Sequence, residues 1–211
     1  MINNEEIILH PIFHAASIGY MDGVRDILKK FRGCSFFYSR RLKGSFPISI
    51  ASQEGHVEII QEFLKHCPDS KELCDEKHRN ILHLAAKNGK DKVVSYILKT
   101  PELQILINDK DLDGNTPLHL AAMAGHPKVL SILTWDSRVD LEVLNGQGKT
   151  ALDVAWSPES WSSSMPSFPE RLTWQALRIV GAPRAKDKWN NQTTIGRHRL
   201  RDAAYDNNKD L

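Results

Sequence analysis

The sequence predicts an all-α solenoid of about five helix-turn-helix units joined by short β-hairpin fingers. Three observations predict it. First, a motif with a small-residue run and a closing glycine recurs along the 211 residues, at Gly19, Gly55, Gly89 and Gly125. Those glycines lie 36, 34 and 36 residues apart, the spacing of stacked units that cannot bury their apolar faces alone. Second, each motif is followed by a segment with apolar residues at helical spacing, such as "VEIIQEFL", "KDKVVSYIL" and "PKVLSIL". Third, polar turns such as "DLDGN" (Asp111 to Asn115) link one unit to the next.

The units follow in order. Residues 1–10 form a lead-in, and the repeats occupy 11–181. Unit one (11–44) opens with "PIFHAASIGY", and unit two (45–78) with "FPISIASQEGH". Unit three (79–114) holds "NILHLAAKNG", and unit four (115–148) holds "NTPLHLAAMAGH". Unit five (149–181) starts with "KTALDVA" and is interrupted by a Ser/Pro-rich loop over 157–170. It closes with a delayed second helix, "RLTWQALRIVGAP". Trp156, Trp161 and Trp174 are expected to cover that end of the stack. The tail, 182–211, is polar, lacks periodicity and reads as disordered.

Each motif residue has a physical task. Thr116 and Thr150 stand where a hydroxyl can cap a helix. Pro117 suits a first turn that needs no N–H. Gly89 and Gly125 suit a left-handed helix end. His83 and His119 recur at the repeat period, so they follow the architecture and not a catalytic site. Phe13, Ser49 and Asp153 fill the same slot elsewhere, which rules out a row of metal ligands. The outer units are worn: His10 and Phe46 replace the capping residue. His78 replaces the turn glycine, so the finger before Asn80 is expected to be strained.

The unit length and "GNTPLHLAAMAGHPKVLSIL" resemble the ankyrin repeat, over about residues 11 to 181. That resemblance implies imidazoles at His83 and His119 that bond backbone between units. The final stretch, "NGQGKTALDVA", a Ser/Pro loop and "RLTWQALRIVGAPRAKDK", is similar to the last repeat of plant ankyrin-repeat membrane proteins of the accelerated-cell-death type. Those proteins carry a C-terminal membrane domain named for a Pro-Gly-Gly motif. These residues hold neither that motif nor an apolar span, so the resemblance covers the cytosolic part alone. It implies a regulatory role in plant defence, cell death or stress signalling. It also implies a cytoplasmic setting, peripheral at the plasma membrane, with full-length membrane-bound relatives among the partners.

Composition narrows the classes further. There are 28 Lys and Arg against 26 Asp and Glu, so no global charge draws the chain to nucleic acid. The start, "MINNEEIILHPIF", lacks the basic and long apolar regions of a signal peptide. The odd, sparse set Cys34, Cys67 and Cys74 is expected to be reduced. No GxSxG, phosphate loop or HExxH occurs, so no catalytic residue, cofactor or small-molecule substrate is expected. Cys67, Cys74, His78 and His83 lack the pairing of a zinc site. The expected function is protein binding without catalysis. Candidate contacts beside the helix ends are Gln53, Glu54, Lys87, Asn88, Met123 and Ala124. Candidate fingertips are Arg40, Arg41, Lys43, Lys77, Arg79, Asp111, Asp113, Asn115 and Lys149. Their charges run from basic in the early finger to acidic at Asp109, Asp111 and Asp113. The alternative is a nuclear, nucleic-acid-associated protein using "GRHRLR" (Gly196 to Arg201) of the basic tail.

Overall fold

The computed structural model describes residues 4–30, 46–155 and 168–185. Among them, unit one contributes α1 (Asn4–Ile18) and α2 (Met21–Lys30), and unit two α3 (Pro47–Glu54) and α4 (Val57–His66). Unit three contributes α5 (Ile81–Lys87) and α6 (Asp91–Lys99), and unit four α7 (Pro117–Met123) and α8 (Pro127–Trp135). Unit five contributes α9 (Ala151–Ala155) and α10 (Phe168–Ile179). Short 3₁₀ turns, Pro68–Glu72 and Pro101–Leu106, follow α4 and α6. The lead-in expected over 1–10 is already helical from Asn4, and Pro11 lies inside α1.

The helices form two rows. α1, α3, α5, α7 and α9 pack side by side as an inner row, and α2, α4, α6, α8 and α10 as an outer row. Buried Ala16, Ala51, Ala85, Ala86, Ala121 and Ala122 keep the inner helices close. One apolar cluster runs through all five units, from Ile12 to Leu177. Outer helices are amphipathic: in α4, Ile59, Ile60 and Phe63 are buried while Glu58 and Lys65 face solvent.

The fingers are tight turns and not the expected β-hairpins; no strand occurs among the described residues. Two backbone bonds close each finger: Asp75 N to Arg79 O with His78 N to Asp75 O, Asp111 N to Asn115 O with Gly114 N to Asp111 O, and Asn145 N to Lys149 O with Gly148 N to Asn145 O. A side-chain oxygen takes the donors that a second strand would have paired. Asp75 Oδ1 accepts from Lys77 N and Arg79 N at 2.9 Å each. Asp111 Oδ1 accepts from Asp113 N (3.0 Å) and Asn115 N (2.8 Å), and Asn145 Oδ1 from Gln147 N and Lys149 N (3.0 Å each). His78 is left-handed, with φ 56°, in the seat that Gly114 and Gly148 occupy in later fingers. The histidine accepts that conformation and its finger closes like the others.

Two sets of histidines stitch the units together. In the motif slot, His83 Nε2 lies 3.0 Å from Asn115 O, and His119 Nε2 lies 3.1 Å from Lys149 O. Each donates forward to the residue just before the next unit's cap. His119 Nδ1 then accepts from Thr116 N (3.3 Å) and lies 2.9 Å from Thr116 Oγ1, closing a capping box. Asn80 caps α5 instead, its Oδ1 accepting from Leu82 N and His83 N, and this leaves His83 Nδ1 buried with no partner. The second set was not legible as a motif. His56 Nε2 meets Ser17 O and His126 Nε2 meets Lys87 O, both backward and both at 3.0 Å. Only the repeated "GH" pairs hinted at it.

The exceptions follow from what each neighbour presents. Ser49 is too short to reach the next unit and its buried hydroxyl has no partner; Ser52 Oγ donates to Ile81 O in its place. At the last unit the following segment offers an N–H, not a carbonyl. Asp153 fills the slot and accepts from Ala185 N (2.7 Å), Arg184 Nε (3.1 Å) and the cap residue Thr150. Burial alone would raise the Asp153 carboxyl, but Ala185 N–H, Arg184 and Thr150 together hold it below the ordinary carboxylate range. Cys67 ends α4 in a disulfide, which corrects the expectation of reduced thiols and removes it as a metal ligand; Cys74 keeps its thiol, which donates to Glu72 O at 3.6 Å, and Cys34 lies outside the described residues. Trp174 packs against the core, with Arg178 4.9 Å from its ring centre. Trp156 and Trp161 lie outside the described residues.

The turn glycines give a direct comparison. A Cβ on Gly89 would stand 2.8 Å from His126 Nδ1, whereas a Cβ on Gly148 would meet open space; both have φ +68°. Gly148→Ala is expected to cost about 1–2 kcal/mol, the strain of a left-handed non-glycine. Gly89→Ala adds a collision and should cost about 1 kcal/mol more, since the imidazole must leave Lys87 O. Urea unfolding midpoints would compare them, and equal losses would show that the His126 contact is soft.

The forward histidines also make stability depend on pH. Burial is the largest influence on His83 and His119 and holds both below the ordinary imidazole value of 6.5. The unfolded chain therefore takes up protons at a higher pH than the folded one. Stability is fully present above 6.5 and declines as pH falls below it. Unfolding midpoints between neutral and mildly acidic pH should fall for the natural chain and fall less steeply for His119→Gln. A slope that the substitution leaves unchanged would assign the pH dependence elsewhere.

Candidate partner-binding surface

Helix ends and fingers turn the stack into a scaffold for a groove. Leu112 N donates to Lys77 O (3.0 Å) and Gly146 N to Asp113 O (2.8 Å), so adjacent fingers are tied tip to tip. Close approach requires glycine here: a Cβ on Gly114 would lie 2.6 Å from Gly146 N. Lys110 Nζ reaches Leu144 O at 3.1 Å and ties the bases of the last two fingers. Between these fingers and the C-terminal ends of α7 and α9 lies a groove of about 940 Å³. Ala122, Val154 and Ala155 line it beside Met123, Leu112, Asp113 and Gln147. Small side chains let a partner's backbone approach, and the two large apolar ones stand clear of the core.

The structure sorts the expected contacts. Met123, Asp113 and Lys149 line the groove. Met123 is 59% exposed, Asp113 is exposed at its fingertip, and Lys149 is half-buried. Glu54, Lys77, Lys87 and Asn88 are exposed along the same row of helix ends and fingers, and Gln53 is half-buried. Asn88 turns its amide back to Leu84 O, which shortens its reach. Ala124 is exposed beside Met123.

Three expected fingertip residues are less exposed than the sequence suggests, although Asp111 and Asn115 still line the groove. Asp111 is not an exposed charge: its side chain is fully buried, holds the turn through Oδ1, and faces Arg79 Nε at 3.4 Å through Oδ2. Arg79 is committed to that ion pair, with its side chain 11% exposed. Asn115 is buried, its carbonyl taken by His83 and its Oδ1 by Asn145 Nδ2 (2.9 Å). Asp111 is drawn in because the finger's amides need its oxygen, Arg79 follows it as its counter-ion, and Asn115 is held by Asn145 of the next finger. Asp109 accepts from Asn80 Nδ2 at 3.0 Å and stays exposed, so the exposed acids of the expected fingertip are Asp109 and Asp113. Arg40, Arg41, Lys43 and the run from Gly196 to Arg201 lie outside the described residues.

Sequence reasoning missed Leu112, Gln147 and Glu170 as groove residues. Leu112 is 66% exposed. Its signal was an apolar residue inside the polar turn "DLDGN". Glu170 sits at the start of α10, with its Cγ nearest to Gly125, and only the stacking of α10 on α8 brings it to the groove.

Comparison with known proteins agrees with this architecture. Residues 12–109 match the family model described as ankyrin repeats (3 copies), and residues 102–155 match one described as ankyrin repeats (many copies). The chain belongs to the ankyrin-repeat family. Ankyrin-repeat relatives include the transient receptor potential cation channel subfamily A member 1 homolog of Caenorhabditis elegans. It is 34% identical over 109 residues, covering 52% of this chain and 9% of that protein. The nuclear factor NF-kappa-B p105 subunit of Rattus norvegicus is 30% identical over 87 residues, 41% of this chain and 9% of its own length. Protein phosphatase 1 regulatory subunit 12A of the same species is 32% identical over 109 residues, 50% of this chain and 10% of its own length. The likeness thus spans only about a tenth of each of these relatives.

The buried finger carboxylate is open to a direct test. Asp111→Ala is expected to cost about 2–4 kcal/mol, because two backbone donors and Arg79 lose a buried charged acceptor. Asp113→Ala, at the exposed tip, should change stability by less than about 0.5 kcal/mol. Chemical denaturation of both variants measures the difference, and equal small losses would return Asp111 to the set of free fingertips.

Proposed function

We propose that this ankyrin-repeat chain is a non-catalytic protein-interaction module that grips its partner in the groove between the last fingers and the ends of α7 and α9. The observation that carries the reading is the pair Leu112 and Met123. Two large apolar side chains stand 66% and 59% exposed beside a floor of small residues, on a frame tied by backbone bonds. Such rigid, solvated anchors suit a partner that covers them with its own apolar side chains while polar groups at the rim set the register. Membership of the family supports a role in binding proteins, and a phosphatase regulatory subunit among the relatives is in keeping with a regulatory one. The finer setting rests on the likeness of the last unit to plant ankyrin-repeat membrane proteins. On that likeness the chain acts in defence, cell-death or stress signalling, in the cytoplasm or at the plasma membrane, with membrane-bound relatives among its partners.

The test is capture of partners by the full chain followed by binding measurements on the proteins recovered. Leu112→Arg and Met123→Arg should leave the melting temperature unchanged, since both positions are exposed. Each should weaken capture by about tenfold or more, as for a central anchor in an interface. Undiminished capture by both variants would exclude the groove as the binding face.

A further inference from the structure

The outer row carries a second surface whose character changes along the stack. Equivalent positions on the solvent side of the outer helices can be matched through the buried residues Phe63, Ile97, Leu133 and Leu177. Two positions after each of these, the chain reads Lys65, Lys99, Trp135 and Ile179, and all four are exposed. Near the helix starts it reads Glu58, Lys92 and Lys128, also exposed, and then half-buried Leu172. A Glu–Lys pair gives way to two lysines, then to a lysine with Trp135, and last to two apolar side chains. α8 contains no Asp or Glu, and the sole acid in α10 is Glu170, on the groove side. Exposed Glu102 follows Lys99 in the next turn, and two other acids near the face are already paired. Asp91 pairs with Lys128 at 2.7 Å, and Asp136 is bound by Arg138.

Trp135 and Ile179 are each 84% exposed and sit at the same ends of two packed helices, α8 and α10. They protrude from the outer row, while the groove described above is lined mainly by fingers and inner helix ends. A partner helix needs a groove to lie in. An interfacial bilayer region instead receives protruding Trp and aliphatic side chains, with lysines beside them facing anionic headgroups. We propose that the outer face of units three to five docks on an anionic phospholipid surface. Trp135 and Ile179 enter the headgroup boundary, and Lys92, Lys99 and Lys128 face the phosphates. This docking leaves the concave groove open to the cytoplasmic side and does not depend on what the groove binds.

The full chain should cosediment with phosphatidylcholine–phosphatidylserine vesicles and not with pure phosphatidylcholine, and added salt should reduce the binding. Trp135→Ser with Ile179→Ser should lower partitioning by about tenfold or more, from the apolar area no longer buried. Lys92→Glu with Lys99→Glu should lower it by a similar roughly tenfold factor and flatten its salt dependence. All four positions are exposed, so melting curves should match the natural chain and separate loss of binding from loss of fold. The proposal fails if the natural chain stays in the supernatant with both vesicle types, or if neither pair alters its partitioning. It also fails if light scattering shows a dimer that the Trp135 and Ile179 substitutions split, without vesicle binding, because the face would then be a self-association surface.

Discussion

The whole structure depends on one constraint: a two-helix unit of this length cannot bury its own apolar stripe. Each unit closes half its core against the next, so the interface between units is the core. Side chains that cross it must satisfy backbone groups on both sides, because an unpaired buried carbonyl or N–H costs about as much as the contact gains. The forward bonds of His83 and His119 and the backward bonds of His56 and His126 do this, and the junction between units three and four carries one of each. Asp153 shows that chemistry, not residue identity, is what the slot requires. Where the next segment presents an N–H, the donor is replaced by an acceptor.

The same accounting explains the fingers. Backbone bonds within a five-residue finger leave two of its amides unpaired, so Asp75, Asp111 and Asn145 each supply an oxygen for those two. The fingers then bond to one another at their tips, and the row becomes a rigid wall. Rigidity matters for binding because anchors held in place lose little entropy on association. Under the proposed reading, Leu112 and Met123 gain from standing on that wall what equally exposed side chains on a loose loop would lack.

The two faces of the stack divide the surface chemistry. The concave side mixes apolar anchors with Asp113, Gln147 and Lys149. The outer side runs from mixed charge to lysine and then to Trp135 and Ile179. Packing sets neither composition, since these positions lie outside the core. They are the part of the chain free to differ between stacks of the same architecture.

Periodicity alone determined the fold. Gly55, Gly89 and Gly125 end the inner helices in left-handed turns, and Pro117, Thr116 and Thr150 start theirs, where the repeat placed them. Such features obey local rules, so a linear reading reaches them. The site was less legible. Asp111, Arg79 and Asn115 look like exposed polar residues in sequence, yet Asp111 is buried to serve the finger's amides, Arg79 is drawn onto it, and Asn115 is buried against Asn145. The backward histidines, the disulfide at Cys67 and the placing of Glu170 by α10 were also beyond reach. Each depends on a residue from another unit or another part of the chain, and the repeat period does not state which groups will meet. The sequence by itself determined where the chain turns; tertiary structure decided which polar side chains serve the turns and which are left for a partner.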